Sequence, residues 1–179
     1  MSTLPVHEPA FAGGRAALAR GAALLAGATG LLLLVELGGL PFFWVPLVLG
    51  LTYLAAAAAS RSRGPLWAPG WVLSCVGLTE ALWFAAGRPA DSFELAQLTL
   101  LAAGTGALLA VALRPLGVHV TTMSLAMAVL LTGAFNLAEA RAVPGVAGNT
   151  WLYAGPLAAW GLSDLLVVRK TQRQRAGRC

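Results

Sequence analysis

The stretch LLLLVELGGLPFFWVPLVLGLTYLAAAAASRSR (31–63) holds the end of one long apolar block, the whole of a second, and the basic loop that stops it. The two blocks are bounded at 18–40 and 42–59. Each is near the roughly 20 residues that a helix needs to cross about 30 Å of hydrocarbon. Working outward, four more blocks of this size follow at 66–87, 94–113, 118–140 and 150–168. The pattern predicts an all-α polytopic membrane protein, with six transmembrane helices forming a single membrane domain over 18–168. A short N-terminal tail (1–17) and a basic C-terminal tail (169–179) flank it.

Orientation follows from charge. If the first helix starts inside, ten of the 12 Lys and Arg residues are cytoplasmic: Arg15, Arg20, Arg61, Arg63, Arg114, Arg169, Lys170, Arg173, Arg175 and Arg178. Only Arg88 and Arg141 fall outside, so the positive-inside rule predicts both termini in the cytoplasm and a multi-pass protein of the cytoplasmic membrane. The inside loops SRSRGP (60–65) and RPLG (114–117) are short and basic, while the outside loops RPADSFE (88–94) and RAVPGVAGN (141–149) carry Pro, Gly and acid. Consecutive helices are then antiparallel neighbours in three hairpins, 18–60, 66–114 and 118–169.

With 58% hydrophobic and 11% charged residues, the 179-residue chain has no room for a soluble domain. The net charge of +5 comes from inside loops and the tail RKTQRQRAGR (169–178), which reads as orientation and attraction to anionic lipid rather than nucleic-acid binding. No basic region opens the first 14 residues, so the first helix is expected to stay as an anchor. Cys75 lies inside the third block and Cys179 is the last residue, a placement that supports neither a disulfide nor a metal site. No span contains a pair of His residues or a Lys, so no haem, metal or retinal cofactor is expected. His119 opens the fifth block without ligand neighbours, and His7 is in the tail.

Small residues recur at matching places. The even blocks carry Gly50-Leu51-Thr52, Gly104-Thr105 and Gly161-Leu162-Ser163, and the odd blocks carry an acid near the outer end: Glu36, Glu80 and Glu139. This echo is compatible with a three-fold repeat of hairpins. The runs AAAAAS (55–60) and AAGTGALLA (102–110) are read as close helix packing in lipid, and the same composition predicts a homo-oligomer.

A charge near a helix centre costs roughly 2.5–3.5 kcal/mol on insertion scales, so each intramembrane acid needs a partner or a function. Glu80 is the deepest, with Gly77 and Trp83 on its own helical face, and is expected to face the bundle interior. It is either a pathway residue or a structural hydrogen-bonding one. Glu36 and Glu139 read as rim acids, and Asp164, near the inner end, as a local pair with Arg169 or a substrate contact. Asn136, Gln97, Thr99 and Thr105 are the uncharged candidates for a lining. Trp44, Trp71, Trp151 and Tyr153 sit where amphipathic rings prefer the headgroup layer.

The segment GLTYLAAAAASRSRGPLWAPGW (50–71) resembles the AmiS/UreI family of urea and short-amide channels. The matched residues are Gly50, Thr52, Tyr53, Leu54 and Trp71, with Trp67 and Pro69 within a residue of family counterparts. Pro115-Leu116-Gly117 and Leu131-Thr132 give a second local match. The family's tryptophan-rich pore helix corresponds to LTLLAAGTGALL (98–109), which has no aromatic residue. The hairpin layout also resembles the small HdeD-type membrane proteins, and WAPGWV (67–72) resembles a segment of the tryptophan-rich sensory proteins. The first resemblance implies passage of a small neutral solute, with Thr52 and Tyr53 along the route and Glu80 as an acceptor for amide N–H groups or a pH-sensitive gate. Two other readings stand beside it. One is a non-transporting assembly or envelope-stress protein. The other is an intramembrane enzyme on a lipid or isoprenoid, with Glu80 or Asp164 as proton donor.

Overall fold

The computed structural model describes residues 10–60, 66–89, 93–116, 118, 120, 121, 125 and 150–176. Among these residues the chain is all-helical, with no strand. Five long helices are present: α1 (Ala10–Leu32), α2 (Val45–Ser60), α3 (Trp67–Ala85), α4 (Phe93–Ala112) and α5 (Trp151–Ala176). A π-helical turn, Leu33–Leu37, extends α1, and short 3-10 turns at Phe42–Trp44 and Arg114–Leu116 precede α2 and follow α4. Most of the fifth apolar block, and with it Asn136, Glu139 and His119, lies outside the described residues.

Three stretches are long and apolar enough to cross a membrane: Gly14–Leu37 (24 residues), Phe42–Ser60 (19 residues) and Glu94–Ala112 (19 residues). A helix suits that solvent because it satisfies its own backbone N–H and C=O groups. The helix of the first block begins at Ala10, earlier than the apolar pattern alone marks, because Ala-rich sequence around Arg15 continues the helix past the end of the hydrophobic run. Helix α3, which carries Glu80, is not among these three stretches. It packs on both α2 and α4, and its buried set includes Ala68, Pro69, Gly70, Gly77 and Glu80, so much of its surface meets protein.

The helices form a row in the order α5, α1, α2, α3, α4. Glycines set the contacts. A Cβ at Gly50 would strike Ser74, one at Gly70 would strike Leu54, and one at Gly77 would strike Leu47, so α2 and α3 run antiparallel in close register. On α4 the buried residues Leu95, Thr99, Ala102, Gly106 and Ala110 recur every three or four positions, a single stripe. Gly106 meets the backbone of Trp71 and Val72 there, and Ala102 packs with Val72 and Val76. Of the small residues in the run 102–110, Ala102, Gly106 and Ala110 are buried on this stripe, while Gly104 and Thr105 are exposed. Between α5 and α1, Gly21 and Gly161 each face the other's carbonyl oxygen. Leu24, Ala28 and Leu31 of α1, Val45, Leu49, Ala56 and Ala57 of α2, Leu73 of α3, and Ala154 and Leu157 of α5 join in one apolar core.

The small-polar steps of the even blocks are not equivalent in this packing. Gly50 and Gly161 are close-approach points, whereas a Cβ at Gly104 would meet nothing within 4 Å.

Candidate functional site

Glu80 lies in the last turns of α3 and is 1% exposed, although Leu78 and Leu82 on either side of it are 50% and 63% exposed. Two residues along a helix are about 200° around its axis, so the carboxylate is turned away from the open face. The same arrangement holds on α2, where Tyr53 sits between the exposed Leu51 and Ala55 and packs against the apolar core. Tyr53 and Glu80 therefore belong to the inward sides of neighbouring helices. The antiparallel register pairs Leu54 with Gly70 and Leu47 with Gly77. Tyr53 is thus level with the start of α3, and Glu80 is about 13 Å further along at 1.5 Å per residue.

The chain closes over the end of α3 in a compact cap. Gly87 has φ +70, a conformation that a residue with a Cβ adopts only with strain. Its N–H donates to the Phe84 carbonyl at 2.9 Å, and the Arg88 N–H points to the Trp83 carbonyl at 3.4 Å, the paired bonds of a Schellman motif. The reversal carries Arg88 back over the helix, its guanidinium carbon 4.7 Å from the centre of the Trp83 ring. The Trp83 indole N–H donates to the Pro89 carbonyl at 2.9 Å. Trp83, at 6% exposure, occupies the turn outward of Glu80. Beside it, Phe84 stacks on Phe43 with centroids 4.9 Å apart, and Phe42 meets Tyr153 at 5.5 Å, so aromatic side chains tie α3 and α5 to the turn before α2.

Asp164 has a partner 144 residues away. Arg20 of α1 donates through Nε to Oδ2 at 2.7 Å and through Nη2 to Oδ1 at 2.6 Å, a two-pronged ion pair. Arg169, the local partner expected from sequence, is exposed while Arg20 holds both oxygens of the carboxylate. The physical reason is proximity: Gly21 and Gly161 let the α1 and α5 backbones meet, and this sets Arg20 and Asp164 at the same level.

The remaining sequence-predicted residues disperse. Thr52 is buried, but its hydroxyl donates to the Val48 carbonyl and its side chain packs on Gly27 of α1. Thr105 is exposed and donates to the Leu101 carbonyl; Thr99 is buried and does the same with Leu95. Gln97 is exposed. Glu36 is exposed on the π-helical turn among Leu33, Leu34 and Leu37. Asn136 is outside the described residues. The described helices thus bring Tyr53 and Glu80 to one side, Arg20 and Asp164 together elsewhere, and leave Glu36 and Thr105 apart. Sequence reasoning missed the Arg20 to Asp164 pair and the Trp83 cap. Equal depth of two opposite charges in the first and last blocks was the available sign of the former, and Ala-Gly-Arg-Pro after a buried tryptophan that of the latter.

Among the described residues no three His, Cys, Asp or Glu side chains come together as a metal site. No family model matches the chain, and no curated protein or solved structure is significantly similar to it.

Proposed function

We propose that this chain is a multi-pass protein of the cytoplasmic membrane, with six helices and both termini inside, that lets a small neutral solute of the urea or short-amide class pass. The observation that carries this reading is Glu80: a carboxyl 1% exposed, on the side of α3 turned from the apolar surface. An ionisable group held inside a membrane helix is costly, and by default it marks a functional position. A carboxylate accepts hydrogen bonds from amide N–H donors, and Tyr53 on the inward side of α2 offers a hydroxyl further along the same route. The six-crossing layout is supported by the antiparallel contact of α1 and α5, which an even number of crossings requires. The small-residue contacts favour a homo-oligomer.

The test is solute flux into liposomes containing the purified protein, followed by light scattering, with urea and acetamide as solutes. Faster equilibration than in protein-free liposomes is expected. Equal rates at all solute concentrations would remove the channel reading.

A non-transporting membrane assembly is the second reading, favoured by one specific observation. Asp164 is fully engaged by Arg20 and Thr52 is consumed in α1 to α2 packing, so two residues predicted for the pathway are used to hold helices together.

A further inference from the structure

We propose that Trp83 controls access to Glu80 from the end of the bundle where α3 meets α4, with Arg88 and the Pro89 carbonyl holding the indole shut. This rests on the passage reading above and assigns it a selectivity residue. Three observations carry it. The first is position: Trp83 follows Glu80 by three residues, so the two share a helix face one turn apart. A helical side chain covers the turn N-terminal to its own Cα, which for Trp83 is the turn of Glu80. The second is burial, since both residues are almost wholly covered while Leu82, between them in sequence, is 63% exposed.

The third is the latch. Trp83 has its N–H bonded to Pro89 and its ring under Arg88, both delivered by the reversal at Gly87. Arg88 keeps 57% of its side chain exposed and stands 4.0 Å from Glu94, which is itself 74% exposed. The latch therefore lies at the water boundary and consists of one hydrogen bond and one cation–π contact, interactions that thermal motion breaks and remakes. The glycine contacts that make the α2 to α3 seam, at Gly50, Gly70 and Gly77, lie further from this end of α3 than the latch does.

The experiment measures accessibility by thiol labelling and so does not depend on transport. In protein carrying Cys75→Ala and Cys179→Ser, single cysteines are introduced as Glu80→Cys, Ala86→Cys and Leu73→Cys. Each protein is reconstituted in phosphatidylethanolamine and phosphatidylglycerol liposomes and exposed to a membrane-impermeant methanethiosulfonate reagent. Ala86→Cys, exposed at the same end, should react fast, and Glu80→Cys about tenfold or more slowly, because it reacts only on local opening. Adding Trp83→Ala should raise the Glu80→Cys rate about tenfold while Leu73→Cys, in the core, stays unreactive. Trp83→Phe, which keeps a ring for Arg88 but has no N–H, should fall between. If neither substitution moves the Glu80→Cys rate, or if Leu73→Cys opens along with it, Trp83 is core packing and the proposal is overturned. Urea flux in Trp83→Ala with Glu80 intact separates the two ideas. Opening with no urea flux in that variant or its parent sinks the passage reading alone, whereas labelling unchanged by Trp83 sinks the access role whatever the flux.

Discussion

Two acids, Glu80 and Asp164, show how the same residue problem is met in different ways. Asp164 is neutralised by the guanidinium of Arg20 at 2.6 and 2.7 Å, with side-chain exposures of 23% for Arg20 and 12% for Asp164. Removing one partner strands the other, so Arg20→Leu should destabilise the folded protein by up to about 3 kcal/mol, the low end of the range for buried pairs because the site is partly wet. The double variant Arg20→Leu with Asp164→Leu should recover most of that loss. Thermal unfolding in detergent closes the cycle, and additive losses in the double variant would show that the pair is not energetically coupled. In the passage proposal Glu80 is the acid that meets the solute. Glu80→Gln is isosteric and uncharged, and should leave unfolding nearly unchanged while altering urea flux. A structural glutamate would do the reverse, losing about 1–3 kcal/mol with its hydrogen bonding. Glu36→Gln, at an exposed position, is the control and should do little in either assay.

At the scale of the element, glycine placement decides which helix faces meet. Gly106 of α4 is pressed against the backbone of Trp71 and Val72, where an added Cβ would come within 2.7 Å of the Val72 Cα. Backbone cannot rotate aside as a side chain can, so Gly106→Ala should push α4 off α3 and cost about 1–3 kcal/mol. Gly104, two residues earlier, faces open space. Gly104→Ala should therefore be neutral or stabilise by about 0.5–1 kcal/mol through helix propensity. Comparing the two variants by thermal unfolding tests the packing directly, and equal effects would contradict it. Sequence composition marked 102–110 as packing material but gave both glycines the same weight. Only the partner helix distinguishes them, because contact depends on which side of α4 each occupies. The hydroxyls illustrate a further limit. Thr52, Thr79, Thr99 and Thr105 each donate to the carbonyl four residues back, so as polar residues they resemble lining candidates but are satisfied within their own helices.

At the scale of the molecule, the row of helices closes its two chain ends together, α5 lying on α1. That contact is antiparallel, as the pairs Arg20 with Asp164 and Gly21 with Gly161 require. Reporter fusions after Arg63, Arg114 and Lys170 should be cytoplasmic, and fusions near Ala90 and Gly145 exported, as the split of basic residues predicts. An exported C-terminus would overturn the six-crossing proposal and its pairing of inside loops with basic charge.

What the sequence determined by itself is the helical, apolar character of the chain, its charge asymmetry, and the depth of Glu80 in its block. These properties are local sums over about twenty residues, and a bilayer's thickness is enough to interpret them. The inward direction of Glu80 was also legible, from Gly77 and Trp83 on its own helical face. Tertiary structure alone decided the partners: Arg20 rather than Arg169 for Asp164, Gly27 for Thr52, and Arg88 with Pro89 for Trp83. Partner choice depends on which blocks adjoin and on their rotation about their own axes. Those quantities are set by a few glycine contacts between distant segments, and no local property of either segment encodes them.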